Sequence, residues 1–166
     1  MYWNSLINFR KLKVSKGVFS KKDFGFFGIS VSLNSDGTIV AIGAYLNDDG
    51  GDFSGHVKIF ENIGGNWIQI GNSINGESSG DYSGSSVSLN SNGNIVAISS
   101  PNNVNNPNSI GDVRIFENVG GNWVQLGNNI DAEEQDNFSG GTSIFVDINS
   151  NGNIVAIGNG PNNNEN

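Results

Sequence analysis

The sequence predicts an all-β protein, a partial β-propeller of four-stranded antiparallel blades with about three blades' worth of strands. Three observations support this prediction. A unit of about 56 residues is written twice and begun a third time, short segments that alternate apolar and polar residues recur in every unit, and Gly-Gly or Asx-Gly pairs separate those segments. Repeats of roughly 40 to 50 residues that contain several strands are typical of propeller blades.

The repeat is strict through two units. The segment GHVKIFENIGGNWIQIGNSI begins at Gly55 and returns at Gly111 as GDVRIFENVGGNWVQLGNNI. The segment SVSLNSDGTIVAIGA begins at Ser30 and returns at Ser86 after the same interval, and its third copy begins at Phe145, slightly later than that interval would place it. Strands, turns and large side chains are therefore expected to recur at equivalent positions.

Each unit contains four strand patterns. SVSLN alternates small polar and apolar residues, whereas IVAIGA is apolar on both faces, as in a strand covered on both sides. An Asx-Gly pair such as Asp36-Gly37 separates them and is expected to form a type I′ hairpin. HVKIFEN and NWIQIGN supply the third and fourth strands, joined at Gly64-Gly65. The small residues of the first strand suit the crowded axis of a propeller, and Trp67 and Trp123 suit packing between blades.

Segment 1–22 carries six basic side chains and no acidic one, whereas the rest of the chain carries all 16 acids and only two basic side chains. Leu12, Val14 and Val18 precede apolar residues of the fourth strand by one repeat length. Segment 1–22 is therefore predicted to form the outer strands of a split blade. The remaining predicted units are the blade repeats 23–78 and 79–134, a half blade at 135–160 that holds the first two strands, and a frayed tail at 161–166.

A chain whose first and last segments are half blades has an unpaired strand edge in each of them. Such edges pair readily with another chain. Propellers usually need four or more blades to close. Three assemblies remain open: a fragment or partial propeller, which we favour; two chains that complete each other's split blades; and an open stack. Self-association through the split-blade edges is thus one predicted interaction.

Composition excludes several classes of protein. The acidic body repels phosphate, so nucleic acid is not an expected partner of the basic segment, which is better explained as neutralising that body. Cysteine is absent, which removes disulfides and thiol chemistry. No apolar run is long enough to span a membrane, and the N-terminal segment lacks the apolar region of a signal peptide. The compartment stays undetermined.

Phe27-Gly28 precedes the first strand, Gly43-Ala44 follows the second, and the third strand reads GxVxIFE. In these motifs the chain, over about residues 11 to 161, resembles the FG-GAP repeats of integrin-α-type propellers. The resemblance implies a propeller fold, roles in protein binding or cell adhesion, and an extracellular or cell-surface location if the chain belongs to a larger member of that family.

The resemblance also implies a calcium loop of the form D-x-[DN]-x-[DN]-G between the first two strands. The third copy, DINSNG, matches it with Asp147, Asn149 and Asn151, whereas Ser32 and Ser88 replace the leading Asp in the other copies. Alternate oxygens at this spacing suit Ca²⁺, which takes six to eight oxygen ligands. Val stands in every copy where a carboxylate would follow the Gly, so a plain Asx-Gly hairpin is the favoured interpretation.

The loop between the second and third strands differs between units. In the first unit it reads NDDGGD, where Asp48, Asp49 and Asp52 are either cation ligands or the side chains of a solvated loop. The counterpart in the second unit, NNVNNPN, has no carboxylate. Variable loops on a constant frame are where ligand specificity is expected. The predicted binding-loop residues are Asn47, Asp48, Asp49, Asp52, Asn102, Asn103, Asn105 and Asn106.

No residue set predicts catalysis. His56 is the only histidine, and no cysteine or nucleophilic serine motif accompanies it to make a zinc site or a catalytic triad. We therefore assign His56 to a strand surface. Lys58 and Arg114 are expected to form weak surface pairs with glutamates of their own strands. We expect a non-enzymatic module that binds a protein or glycan partner. The alternatives are a calcium-stabilised structural or adhesion repeat of a surface protein and, more distantly, a hydrolase.

Overall fold

The computed structural model describes residues 28–102, 111–131 and 144–159, and every helix or strand element in them is a β-strand. The strands form three antiparallel sheets, and none of the three closes on itself. The all-β prediction is thus confirmed for these residues, whereas segments 1–22 and 161–166 lie outside them. Sheet 1 contains β1 (Ser30–Leu33), β2 (Ile39–Ala44), β3 (His56–Ile63), β4 (Asn66–Gln69) and β5 (Ile74–Asn75). Sheet 2 contains β6 (Val87–Leu89), β7 (Ile95–Ser100), β8 (Asp112–Val119), β9 (Asn122–Gln125) and β10 (Ile130–Asp131), and sheet 3 contains β11 (Ile144–Ile148) and β12 (Val155–Asn159).

Sheets 1 and 2 have the same strand order. The first three strands pair in sequence order. The last two strands do not pair with each other: β4 and β5 both pair with β3, and β9 and β10 both pair with β8, along the edge that the second strand leaves open. The fourth strand lies where NWIQIGN predicts it but ends earlier, at Gln69, and a fifth short strand that was not predicted follows it. Gly71 (φ 66°) and Gly127 (φ 70°) stand in the breaks between the fourth and fifth strands. A left-handed glycine turns the backbone away from the ladder, and pairing resumes a few residues later.

The hairpin between the first two strands is the same in all three sheets. In the first copy the Gly37 N–H donates to the Asn34 carbonyl at 3.1 Å, and the Asn34 side-chain oxygen accepts from the Ile39 N–H at 2.9 Å. Gly37 has φ 72°, whereas Asp36 does not have positive φ. The predicted type I′ turn, which needs positive φ at both central residues, is therefore wrong here. The Asn side chain closes a longer turn instead. The Gly64-Gly65 turn does have positive φ at both residues, 60° and 90°.

The three sheets pack against one another, with one apolar cluster between each pair of neighbours, and a third cluster of Val40, Ile42 and Phe60 lies on the other face of sheet 1. Val87, Leu89, Val96 and Ile98 of sheet 2 pack with Ala41, Val57, Ile59 and Ile74 of sheet 1. Ile144, Val146 and Ile148 of sheet 3 pack with Ala97 and Val113 of sheet 2. Because β2 and β7 are covered on both faces, they read as nearly continuous apolar runs.

Serine hydroxyls on the first strand of one sheet bind the backbone of the first strand of the next. Ser32 Oγ accepts from the Leu89 N–H at 2.9 Å, and Ser88 Oγ accepts from the Ile148 N–H at 3.1 Å. β6 lies at the edge of its sheet, so a facing hydroxyl supplies a partner that a strand neighbour would otherwise provide. A side chain this short also allows the sheets to approach closely.

Gly43 marks a close approach between sheet 1 and the loop that leads into sheet 2. A Cβ atom at this position would collide with the Gly84 carbonyl oxygen and with the Ser30 hydroxyl, which itself donates to that carbonyl at 2.7 Å. In sheet 2 the equivalent position holds Ser99, whose hydroxyl accepts from the Ser86 N–H at 2.9 Å. Gly43 thus leaves room for a neighbouring loop, whereas its counterpart Ser99 forms a hydrogen bond within its own unit.

None of the residues that the structure describes forms a helix long and apolar enough to cross a membrane.

Candidate ligand-binding surfaces

The loop between β2 and β3 is ordered by its own side chains. Asn47 is buried, and its Oδ1 accepts from the Asp49 N–H at 2.8 Å. Asp48 is exposed, and its Oδ1 accepts from the Phe53 N–H at 2.8 Å. Of the predicted binding-loop residues here, Asn47 thus shapes the loop from inside, whereas Asp48, Asp49 and Asp52 face solvent.

The structure does not bring the three loop carboxylates together in one cluster. In the described part of the chain, no group of three or more His, Asp or Glu side chains is arranged to hold a metal ion. Asp48 holds the Phe53 N–H, while Asp49 Oδ2 lies 3.6 Å from His56 Nδ1. The carboxylate oxygens of Asp48 and Asp49 therefore contact different partners. A calcium site in this loop stays a prediction.

His56 is fully buried at the start of β3, so its predicted place on a strand surface is wrong. The burial follows from the stack, because β5 covers one side of β3 and Gly84 of the next loop approaches the His56 carbonyl. A substrate cannot reach an imidazole in this position. The ring belongs to the interior that supports the loop.

Two aromatic residues next to this loop have an unusual backbone conformation. Phe53 (φ 54°) and Tyr82 (φ 56°) are the non-glycine residues with positive φ in the described part of the chain. The Tyr82 N–H donates to the Phe53 carbonyl at 3.1 Å, and the ring centroids lie 6.2 Å apart. Tyr45 adds a third ring, 6.0 Å from Tyr82. Phe53 remains 49% exposed. We call residues 45–55 and 76–85 the loop surface.

Asn102 is the described residue of the second predicted binding loop. Its side-chain amide donates to the Gly80 carbonyl at 2.8 Å, so it joins this loop to the loop surface. Asn103, Asn105 and Asn106 lie outside the described residues.

The predicted calcium residues of the third copy occupy a strand and a turn. Asp147 lies in β11 and accepts a hydrogen bond from the Ser88 hydroxyl at 3.0 Å. The Asn149 side-chain oxygen accepts from the N–H groups of Asn153 and Ile154, both at 3.0 Å. Asn151 is exposed in the turn. Because the Asn149 oxygen already closes the hairpin, these contacts are those of an Asx-Gly hairpin. Calcium at this turn stays a prediction.

Arg114 contradicts its predicted surface pairing, since it is 4% exposed. It reaches from β8 to β5 of sheet 1, where Nη2 donates to the Asn75 carbonyl at 2.9 Å. Nη2 also donates to Ser83 Oγ, in the loop between β5 and β6, at 3.1 Å. Nη1 lies 3.9 Å from Glu77 Oε1, and the guanidinium carbon lies 5.4 Å from the centroid of the Phe116 ring. The side chain therefore connects two repeats.

Asp112 stands two residues before Arg114 and is also buried. Asn129 Nδ2 donates to Asp112 Oδ2 at 2.9 Å and to Glu77 Oε2 at 2.8 Å. Burial raises the pKa of Asp112 to about 6 from 3.8, although the charge of Arg114 lowers it. The region around the guanidinium thus contains more acidic than basic groups.

A cleft opens beside this network, between the outer strands of sheets 1 and 2. It has a volume of about 260 Å³ and we call it the inter-sheet cleft. Trp123 forms part of its wall, and the Trp123 indole N–H donates to the Ile70 carbonyl of the neighbouring sheet at 3.0 Å. The lining residues are Asn72, Ser73, Ile74, Asn75, Arg114, Phe116, Asn122 and Trp123.

Sequence reasoning missed the cleft and the Arg114 network. The available signal was the difference between the repeats, because His56 and Lys58 of the first unit become Asp112 and Arg114 of the second. Apart from the conservative change of Ile63 to Val119, these are the only differences between β3 and β8, and they mark a change of environment. Burial of these positions depends on the facing sheet, which strand periodicity does not reveal.

No family model and no curated protein matches the chain. Among solved structures, the chain is similar to one described as "Complex of KlAtg21 with coiled-coil of AgAtg16", with 16% identity and a TM-score of 0.49. The match covers 78% of this chain and 36% of that chain, so this chain spans well under half its length. A similarity this low carries no argument about function.

Proposed function

We propose that the chain is a non-enzymatic interaction module of FG-GAP-like propeller blades, in which a constant frame of strands presents variable loops to a partner. The observation that carries this proposal is the strained aromatic pair of the loop surface. Positive φ at a bulky residue costs on the order of 1–3 kcal/mol and tends to persist at functional positions. Phe53 has this conformation and still exposes half of its side chain.

The chemistry of the loop surface fits a basic protein segment. Asp48, Asp49 and Asp52 are exposed beside Phe53 and Tyr82. Carboxylates bind guanidinium and ammonium groups through charge-assisted hydrogen bonds, and aromatic faces attract the same cations. Because hydrogen bonds hold the loop in one conformation, less conformational entropy is lost on binding.

Fluorescence anisotropy with a labelled peptide of alternating Arg and Gly tests this surface. Phe53→Ser leaves the net charge unchanged and is expected to weaken binding about threefold to fivefold, since it removes a cation–π contact. The matched control is Ile63→Ser, which removes an apolar side chain of similar exposure at the far end of β3. Equal affinities for Phe53→Ser and the wild type would overturn the proposed role of the loop surface.

Calcium stabilisation is the alternative proposal, and the exposed carboxylates of one loop support it. Calorimetry in calcium and in EGTA decides between the two. A rise of the melting temperature in calcium that disappears in Asp48→Asn would favour the alternative. An unchanged melting temperature would remove it.

Self-association is proposed for the edges of the stack. Among the described residues, β12 pairs with β11 alone, so one edge of sheet 3 has no strand neighbour. An open edge of this kind pairs readily with another chain. Size-exclusion chromatography with light scattering tests it, and a monomer at all concentrations would contradict it.

A further inference from the structure

Sheet 2 has one face that is covered over only part of its width. On the side toward sheet 3, Ala97 and Val113 are buried in the core that the two sheets share. Ile130 pairs with Val113 and lies on the same side, yet Ile130 and Leu126 are both 40% exposed, and Ile115 is half-buried. We call Ile115, Leu126 and Ile130 the outer face of sheet 2. Exposed apolar residues grouped in this way often mark a contact with another protein.

The equivalent positions of sheet 1 are covered. Ile59, Ile70 and Ile74 stand one repeat length before the outer-face residues and pack in the core between sheets 1 and 2. Ile74 is 6% exposed, compared with 40% for Ile130. The cover comes from the third and fourth strands of sheet 2, where Trp123 packs against this core and its indole N–H donates to the Ile70 carbonyl. Sheet 3 has two strands in the described part of the chain, so it provides no counterpart of β8 and β9.

Sheet 1 is open over the opposite part of its own free face. On the side away from sheet 2, Val31 and Leu33 of β1 are 64% and 54% exposed, whereas Val40, Ile42 and Phe60 of β2 and β3 are buried. The residues one repeat length after Val31 and Leu33 are buried against sheet 1. The open part of sheet 1 thus belongs to the first strand, and the open part of sheet 2 to the later strands. One blade can fill both if two chains each supply half of it, because each blade of a repeat protein contacts its two neighbours.

The sequence predicts the missing outer strands in segment 1–22. Lys11 stands one repeat length before Trp67 and two before Trp123, at the position that packs on the neighbouring sheet. A lysine there can cover apolar surface with its stem and keep its ammonium in water. Six of the eight basic residues of the chain lie in this segment, and Glu117 lies on the same side of β8 as Ile115. Opposite charges therefore favour this contact.

The order of the units indicates that the segment comes from another chain. Each described unit passes from its last strands directly to the first strand of the next sheet. Segment 1–22 precedes β1 in the same way, so its expected neighbour within the chain is sheet 1. The outer face of sheet 2 lies on the side away from sheet 1.

We propose that the outer face of sheet 2 binds segment 1–22 of a second copy of this chain, which joins sheet 3 as the outer half of a blade shared by two chains. Lys11 of the second copy takes the place on sheet 2 that Trp123 has on sheet 1. Val31 and Leu33 of the second copy then pack against β11 and β12. Reciprocal exchange about a two-fold axis closes the assembly as a dimer. This inference rests on the proposed self-association and adds its surface and its occupant.

Sedimentation velocity over a range of concentrations tests the surface, and a dimer is expected for the full chain. Leu126→Ser and Ile130→Ser should each weaken the dimer about tenfold, because each removes an apolar side chain that becomes buried there. Val124→Ser is the matched control. Val124 is exposed on the same side, but its counterpart Ile68 stays 51% exposed although sheet 2 packs on that side of sheet 1. This control should associate like the wild type, and circular dichroism checks that every variant keeps its fold.

Cross-linking tests the occupant. The chain has no cysteine, so Lys11→Cys and Leu126→Cys can be made in two separate preparations. After the two are mixed and allowed to exchange, a short bismaleimide should join one chain of each kind. Asp52→Cys, on the loop surface, replaces Leu126→Cys in the control mixture and should give no such product.

The outcomes separate this inference from the self-association on which it rests. A monomer at every concentration would contradict both. A dimer that neither outer-face variant weakens, or a mixture of the first pair that gives no cross-linked product, would overturn this inference and leave pairing at the edge of β12.

Discussion

Sheets 1 and 2 have the same strands, turns and core positions, yet their loop ends differ in chemistry. At the start of the third strand, sheet 1 has His56 and Lys58, and sheet 2 has Asp112 and Arg114. His56 and Asp112 are both buried, so the frame buries this position whatever residue it holds. Arg114 reaches sheet 1 and forms part of the inter-sheet cleft.

This difference shows at which positions the fold can change residue type without losing its apolar core. Apolar residues that pack between the sheets are nearly identical in the two units, whereas the polar residues at one end change in type and in charge. A repeat protein gains new binding chemistry most readily where side chains meet across repeats and do not carry the core. Four predictions test this comparison.

Removing Arg114 should produce the largest effect. Arg114→Ala leaves Glu77 and Asp112 without their cation and the Asn75 carbonyl without its donor, so unfolding should become easier by about 3 kcal/mol. Lys58→Ala at the equivalent position of sheet 1 should cost less than about 1 kcal/mol. Urea unfolding followed by circular dichroism measures both. Similar losses for the two variants would show that the repeats are equivalent here.

Gly43→Ser places the residue of sheet 2 in sheet 1. Because a Cβ atom at position 43 would collide with the Gly84 carbonyl, the two sheets must separate, at a cost of about 2 kcal/mol. Gly158→Ser is the control at the equivalent position of sheet 3, where nothing lies within 4 Å of the added atom. Thermal unfolding should show a lower midpoint for the first variant alone. A reversed order would contradict the stacking described here.

Ser88→Ala tests the hydroxyl bonds between first strands. It leaves the buried Ile148 N–H without a partner, which should cost about 1–2 kcal/mol. Ser32→Ala should cost somewhat less, because Ser32 accepts from one N–H whereas Ser88 also donates to Asp147. Ser35→Ala, at an exposed serine, should have little effect. Chemical unfolding of the three variants checks this order, and equal stabilities would show that the hydroxyls contribute nothing.

Asp112→Asn should change how stability depends on pH. The folded protein holds the Asp112 proton up to about pH 6, whereas the unfolded chain releases it near the ordinary aspartate pKa of 3.8. Folding therefore takes up a proton between pH 3.8 and about pH 6. The contribution of Asp112 to stability is present below this range and is lost as the pH rises through it. At pH 7 the variant should be more stable than the wild type by on the order of 1 kcal/mol.

Thermal unfolding between pH 4 and pH 7 measures this difference. Asp36→Asn is the control with the opposite sign, because hydrogen bonds from the Thr38 side chain and backbone lower the pKa of Asp36. Its ionised form adds stability that is present above the unfolded pKa and is lost as the pH falls through the folded one. Parallel pH profiles for the wild type and Asp112→Asn would contradict the raised pKa.

Much of the fold could be predicted from local patterns. Period-2 alternation and paired glycines predict the strands and the Gly64-Gly65 turn, because both depend on residues close in sequence. The predicted type I′ hairpin was wrong because the Asn34 side chain competes for backbone hydrogen bonds. The fourth strand is shorter than predicted because Gly71 turns the backbone away from the ladder. Both errors come from a single residue that overrides its neighbours.

The candidate site was far less predictable. The burial of Arg114 depends on Asn75 and Ser83, which lie 39 and 31 residues away in sequence. The open side of Phe53 depends on a backbone conformation that no propensity favours for an aromatic residue. Contacts between repeats are set by residues of two units together, so a pattern within one unit cannot reveal them.

The serine bonds between first strands give the stack a direction and a rule for extension. Ser86 and Ser88 both accept from the first strand of the next sheet, and Ser30 and Ser32 hold the same two positions in sheet 1, so a unit of this type can be duplicated without a new kind of contact. In the third copy those positions are held by Phe145 and Asp147, and Phe145 is 59% exposed. The third sheet therefore lacks the two hydroxyls that occupy these positions in sheets 1 and 2. A chain that grew by copying its units would need a different joint at this point.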